Sequence, residues 1–172
     1  REALELFFKK MKCLSIVEPT RFFVDSMLFY RYTSRFDLNR IESGFGLYAG
    51  ASSLFSFSGI SFWLSGRVLD LIRRRIDRQD FRSFTVFHFF ELLHQFLVGN
   101  WQAIEAMDED LCEQNLKIGE VYWVSMPLHW HGLHDLYRGE LASARQVVER
   151  LADIAATYEN DVTLLLKYLL NT

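Results

Sequence analysis

The sequence predicts an all-α protein built from antiparallel helix hairpins that repeat about every 40 residues. The first observation is the spacing of Gly59, Gly99 and Gly139, which follow one another at intervals of 40 residues. Pro19 lies one further interval before Gly59, and both residue types mark the starts or ends of helices. The second observation is that the aromatic-rich stretches lack hairpin turn pairs such as Asn-Gly, which would indicate strands. We therefore predict structural turns at these four residues.

Other positions keep the same 40-residue step, and most of them are apolar. Ser56 and Asp108 are the exceptions, since each is polar in a column that is otherwise apolar. The column five residues after the turns contains Val24, Leu64, Ile104 and Ala144. The column nine residues after the turns contains Leu28, Val68, Asp108 and Val148. A column just before the turns contains Ile16, Ser56, Phe96 and Leu136.

Each repeat unit is predicted to contain two helices. The first helices span roughly 2–16, 41–57, 81–97 and 121–137, and the second helices roughly 20–35, 60–78, 100–118 and 141–158. A ninth helix is predicted to begin near Asp161. We expect one helical-repeat domain over 1–172, with units 1–40, 41–80, 81–120 and 121–160 and a partial unit 161–172.

Charge and cysteine content restrict the class of protein. Residues 1–82 contain 14 Lys/Arg and 9 Asp/Glu, a balance of +5, whereas residues 83–172 contain 5 and 13, a balance of −8. This asymmetry can steer partners, but it is too weak to indicate a nucleic-acid partner. The two cysteines, Cys13 and Cys112, exclude a disulfide scaffold and favour a reducing, cytoplasmic location. Both ends have helix-like sequence without caps, so we expect a fragment of a larger protein.

Two short sequence segments of the chain resemble a known class of helical repeat. These are Gly99-Asn100-Trp101 and the stretch from Tyr137 to Ala144, in which a glycine turn is followed by a small residue early in the next helix. Together with Gly132, a small residue inside the first helix, they resemble tetratricopeptide repeats. Longer repeats of this kind are similar to the helical arms of bacterial signal-transduction ATPases, cyclases and kinases and of maltose-regulator-type activators. The resemblance implies a right-handed superhelix whose concave surface binds peptides or neighbouring domains.

The resemblance predicts a noncatalytic interaction or sensor arm of a signalling or regulatory protein. Its partner would be a protein, a peptide or another domain of the same chain, and self-association through exposed terminal helices is also open. The predicted contact residues are Tyr48, His88, Trp123, Trp130 and His131. The alternative for the tryptophans is that they fill the core between helices. A second functional alternative is a small-molecule sensor with an aromatic pocket between helices near 84–96 and 123–134.

The residues that could support chemistry do not form a known catalytic pattern. His131 and His134 share a helix face, while His129 points away from His131, so only two potential metal ligands converge and we expect no metal site. The run Asp108-Glu109-Asp110 is typical of a solvated helix face, and Cys112 is predicted to be a small buried hydrophobe. No nucleotide-binding or nucleophile motif occurs, so neither an enzyme nor a cofactor is expected.

A membrane-spanning helix is the last alternative. Residues 43–66 contain no charged residue over 24 positions, which is long enough to cross a bilayer. However, the stretch contains seven Ser and five Gly, and the predicted turn at Gly59 lies inside it. A buried helix hairpin is therefore the favoured prediction.

Overall fold

A computed structural model of the chain describes residues 6, 7, 10, 13, 14, 17–33, 44–105 and 108–171. All regular secondary structure within these residues is helical, and no strand occurs among them. The predicted all-α class is therefore confirmed. The chain divides into two compact units, Arg1–Val98 (unit 1) and Gly99–Thr172 (unit 2), and each is described separately.

Unit 1 includes the helices α1 (Pro19–Thr33), α2 (Gly44–Phe57), α3 (Phe62–Arg73) and α4 (Phe81–Val98). Helix α2 is the central element, because it packs against α1, α3 and α4. Its neighbour α3 begins at the N-cap Ser61, whose side chain accepts a hydrogen bond from the Leu64 N–H at 3.1 Å. The centre of the core is formed by Ala49, Leu69, Ile72 and Phe87.

Helices α2 and α4 approach each other closely at Gly46. A Cβ atom added to Gly46 would lie 2.7 Å from the backbone oxygen of Ser83 and 2.9 Å from its Cα. Gly46 itself is buried. Only a residue without a side chain allows the two backbones to come this close. Gly46 therefore serves the close packing of α2 on α4 within unit 1.

Unit 2 contains α5 (Gln102–Glu105), α6 (Glu109–Lys117), α7 (Tyr122–Arg138), α8 (Leu141–Tyr158) and α9 (Asp161–Leu170). Helices α7, α8 and α9 pack against one another around Val124, Leu128, Val147 and Leu151. Within this apolar core, the Ser125 and Thr163 hydroxyls form a buried hydrogen bond of 2.7 Å between α7 and α9. Cys112 belongs to the same core, as predicted.

The three predicted glycine turns lie at the ends of helices. Gly59, Gly99 and Gly139 follow α2, α4 and α7 with φ angles of 65°, 76° and 76°. Side chains strongly disfavour this left-handed region, which explains why glycine recurs there. Pro19 is the first residue of α1, a position where its fixed φ and missing N–H are tolerated. The right-handed superhelix remains a prediction.

Several predicted helix boundaries need correction. The predicted helix 100–118 is two helices, α5 and α6, because Asp108 acts as the N-cap of α6 and accepts a hydrogen bond from the Leu111 N–H at 3.0 Å. The predicted helix 60–78 is shorter and spans Phe62–Arg73. Most of the predicted helix 2–16 and the segments 34–43 and 106–107 lie outside the described residues.

The membrane-spanning alternative does not fit the structure. The uncharged stretch 43–66 contains the whole of α2, the turn at Gly59 and the start of α3, so it is not one continuous helix. Across the described part of the chain, none of the helices combines the length and the apolar character that crossing a bilayer requires.

Candidate functional site

The five predicted contact residues fall in the two units. Tyr48 and His88 lie in unit 1, whereas Trp123, Trp130 and His131 lie in unit 2. The alternative pocket between helices near 84–96 and 123–134 would also need residues of both units. The pocket remains a prediction.

The two tryptophans are buried side chains of α7. Trp123 and Trp130 are 8% and 6% exposed. This burial matches the alternative interpretation given for them and takes both residues out of the candidate partner surface. His131 is half-buried on the same helix.

Tyr48 and His88 are half-buried in unit 1. Tyr48 packs against the core, and the His88 ring stacks on Phe84 with ring centroids 6.1 Å apart. His88 Nδ1 lies 3.9 Å from a carboxylate oxygen of Glu91, which also pairs with Arg73. Burial alone would raise the pKa of Glu91, but the neighbouring His88 and Arg73 side chains outweigh it and lower that pKa. The Arg73–Glu91 pair joins α3 to α4, whereas the contacts of His88 with Phe84 and Glu91 lie within α4.

A buried carboxylate in α7 brings two of the predicted histidines together. Asp135 Oδ1 lies 3.3 Å from His134 Nδ1, and Asp135 Oδ2 lies 3.4 Å from His131 Nδ1. The Ser143 hydroxyl donates a 2.5 Å hydrogen bond to Asp135 Oδ2 from the start of α8. Asp135 and His134 are each 2% exposed, and Trp101 stacks on the His134 ring with centroids 5.3 Å apart. The cluster therefore ties α7 to α8 beneath an aromatic cover.

His129 is separate from this cluster, as the helix geometry predicts. Its Nδ1 atom lies 3.2 Å from the backbone oxygen of Leu166, so it connects α7 with α9. Burial lowers the pKa of His129, which favours the neutral ring. Within the described residues, no three His, Cys, Asp or Glu side chains are arranged to hold a metal ion.

Unit 1 contains a second histidine network, around the half-buried His94, which sequence reasoning did not predict. His94 of α4 lies 2.9 Å from the Ser65 hydroxyl of α3 and 3.4 Å from the Ser56 hydroxyl of α2, through its Nδ1 atom. The two hydroxyls are 2.5 Å apart. Burial lowers the pKa of His94. The polar exception at Ser56 was the sequence signal for this network, because a hydroxyl in an apolar column needs a buried partner.

The acidic run at the start of α6 is exposed, as predicted for a solvated face. Asp108, Glu109 and Asp110 are all exposed. Glu109 forms two hydrogen bonds with the Arg150 guanidinium, at 2.8 and 2.5 Å, which connect α6 with α8. These bonds lower the pKa of Glu109. Asp108 is occupied as the N-cap of α6, so the run has structural uses within unit 2.

A further candidate surface is an exposed helix face that the sequence did not single out. Helix α9 buries Thr163, Leu166 and Leu170, yet its opposite face is also apolar. That face, here called the α9 stripe, consists of Leu164, Leu165, Tyr168 and Leu169, which are 36%, 46%, 55% and 54% exposed. Since four apolar side chains on one helix face are costly to leave in water, the stripe is a candidate interaction site.

Neither the histidine networks nor the α9 stripe can be assigned by likeness to a known protein. Comparisons with protein-family models, with curated proteins and with solved structures gave no match. The interpretation of the chain as a tetratricopeptide-like arm is therefore carried forward as a proposal.

Proposed function

We propose that this chain is a noncatalytic segment that binds proteins through exposed helix faces, within a larger signalling or regulatory protein. The observation that carries the proposal is the α9 stripe. Its side chains recur at the three- and four-residue spacing by which one helix packs on another, and they lie opposite the buried face of α9. A partner that presents a complementary apolar helix face would cover them.

Burial of the chemically capable side chains supports a noncatalytic role. His134 and Asp135 lie beneath Trp101, and each is 2% exposed. The Cys112 thiol is buried in the core, and this burial raises its pKa to about 11. A thiol with this pKa is overwhelmingly protonated at neutral pH and is a poor nucleophile. These groups suit packing better than contact with a substrate.

The proposal includes the tetratricopeptide-like architecture. Besides the glycine turns, one local feature recurs after two 40-residue intervals. The Ser83 N–H donates to the Asp80 side chain at 3.2 Å, and the Thr163 N–H donates to the Asn160 side chain at 2.9 Å. Ser83 and Thr163 are both buried near the starts of α4 and α9. Repetition of both a cap and a buried hydroxyl supports a common origin for these helix starts.

Site-specific photo-crosslinking in cells tests the binding role. A photoreactive phenylalanine replaces Leu165 in the α9 stripe, and a matched control replaces Gln146, an exposed polar residue of α8 in the same unit. We expect the probe at Leu165 to capture a polypeptide and the probe at Gln146 to capture none. If the protein is folded and probes at all four stripe positions capture nothing, the proposed function is wrong.

A further inference from the structure

A second exposed apolar face lies on α1. Val24, Met27 and Leu28 are 54%, 45% and 49% exposed, and Tyr32, one turn further on, is 61% exposed. These residues, here called the α1 stripe, follow the same three- and four-residue spacing as the α9 stripe. The opposite side of α1 includes the buried Ser26. The chain thus carries two helix faces with the same packing requirement, one in each unit.

We propose that the α9 stripe of one copy packs against the α1 stripe of a second copy of this chain. The inference rests on the proposed function, since it names the partner of the surface assigned there. It describes a heterologous contact, in which each copy uses a different face, and not a symmetric contact between two α9 helices.

The charges of the two units favour this pairing. Residues 1–98 contain 14 Lys/Arg and 10 Asp/Glu, a balance of +4, and residues 99–172 contain 5 and 12, a balance of −7. A contact between α9 and α1 therefore brings an acidic unit to a basic one. A symmetric contact through α9 would place two acidic units together, which like-charge repulsion opposes.

The side chains of the two stripes match when the helices run antiparallel. In this alignment Asp161, exposed at the start of α9, lies opposite Arg31, exposed near the end of α1. The antiparallel direction also opposes the two helix dipoles. A parallel alignment would instead place Asp161 near Arg21. The apolar pairs of the antiparallel alignment are Leu164 with Leu28, Leu165 with Met27 and Tyr168 with Val24.

A heterologous contact of this kind has a distinctive consequence in solution. Each copy that uses its α9 stripe still presents a free α1 stripe, so further copies can add. The average mass is therefore expected to rise with protein concentration and to pass beyond that of two copies. Sedimentation velocity or light scattering coupled to gel filtration measures this mass.

Two single substitutions and their mixture test the pairing directly. Leu165→Glu disables the α9 stripe, and Leu28→Glu disables the α1 stripe. Each variant alone is expected to remain a single copy, whereas an equimolar mixture forms a complex of two copies, because each variant retains one intact stripe. The control is Leu141→Glu, at a 68% exposed position of α8, which is expected to associate like the unsubstituted chain. Far-UV circular dichroism checks that all variants are folded.

A charge exchange provides a test that does not depend on apolar substitutions. Asp161→Arg is expected to weaken association, and Arg31→Asp in the same chain is expected to restore it. Restoration by Arg21→Asp instead would contradict the antiparallel alignment. If only Leu165→Glu abolishes association, the contact is symmetric through α9 and the inference is wrong. If the chain remains a single copy at all concentrations while the Leu165 probe captures a different protein, the inference fails and the proposed function survives.

Discussion

Replacing Gly46 by alanine is expected to destabilise unit 1, although alanine is the better helix former. The new Cβ would lie 2.7 Å from the Ser83 backbone oxygen and 3.1 Å from the Val86 Cβ. The closest neighbour is backbone, so no side chain can rotate out of the way. Helices α2 and α4 must therefore move apart, which weakens the packing contact between them in the centre of unit 1.

The expected magnitude follows from two opposing effects. Overpacking a filled core costs typically 1–3 kcal/mol, and a contact with rigid backbone belongs at the upper end, about 3 kcal/mol. Replacing glycine by alanine inside a helix returns about 1 kcal/mol. The net loss is about 2 kcal/mol of unfolding free energy. Gly66→Ala in α3 is the matched control, since its Cβ would lie 3.6 Å from His94 Nε2, an ordinary contact, and we expect about 1 kcal/mol of stabilisation.

Hydrogen exchange monitored by mass spectrometry measures this effect in the right unit. A loss of about 2 kcal/mol corresponds to roughly 30-fold faster exchange in peptides from the core of unit 1. Peptides from α8 in unit 2 provide an internal reference for sample conditions. If Gly46→Ala exchanges at the original rate or more slowly, the two helices have room for a side chain and the close-approach argument is wrong.

Three further predictions concern the polar contacts. Asp108→Ala should cost about 1 kcal/mol of unfolding free energy in a urea titration, because it removes the N-cap of α6, and Asp110→Ala, two residues beyond the cap, should cost clearly less. Burial lowers the His94 pKa in the folded chain, so the unfolded chain binds the proton first as the pH falls through 6.5. Unit 1 should therefore lose stability between pH 7.5 and 5.5. The His94→Gln variant should lose less stability over the same pH range. An equal loss in both proteins would contradict this origin. The Glu109–Arg150 pair should show a coupling of roughly 0.5–1 kcal/mol in a double-mutant cycle at low salt, decreasing at high salt.

The sequence allowed the helical class and the turns to be predicted because both depend on local chemistry. Gly99 and Gly139 require a left-handed backbone that few other residues tolerate, so their spacing marked the helix ends. The polar exceptions were equally informative. Ser56 is hydrogen-bonded inside unit 1, and Asp108 is the N-cap of α6. A capping interpretation of Asp108 would have divided the predicted helix 100–118 correctly.

The orientation of the aromatic residues could not be predicted in the same way. Helix α7 is apolar around most of its circumference, so its pattern does not indicate which side faces solvent. Trp123 and Trp130 are both buried, and this burial depends on tertiary contacts that the periodicity of a single helix does not reveal. The α9 stripe was missed for a related reason, since the sequence of a helix with two apolar faces resembles that of a helix that is fully buried.

The buried hydroxyl pairs disfavour packing arrangements in which one helix of a unit is shifted along its neighbours. A helix held only by Leu and Phe side chains can slide by one turn, about 5.4 Å, and find another apolar surface. Such a slip would separate Ser125 from Thr163 in unit 2 and Ser56 from Ser65 in unit 1. Each stranded hydroxyl would then cost about 1–3 kcal/mol. The hydroxyls thus act mainly by destabilising shifted packing arrangements. Because this selection of one arrangement depends on buried groups, residues on the exposed faces can change during evolution without loss of a unique fold.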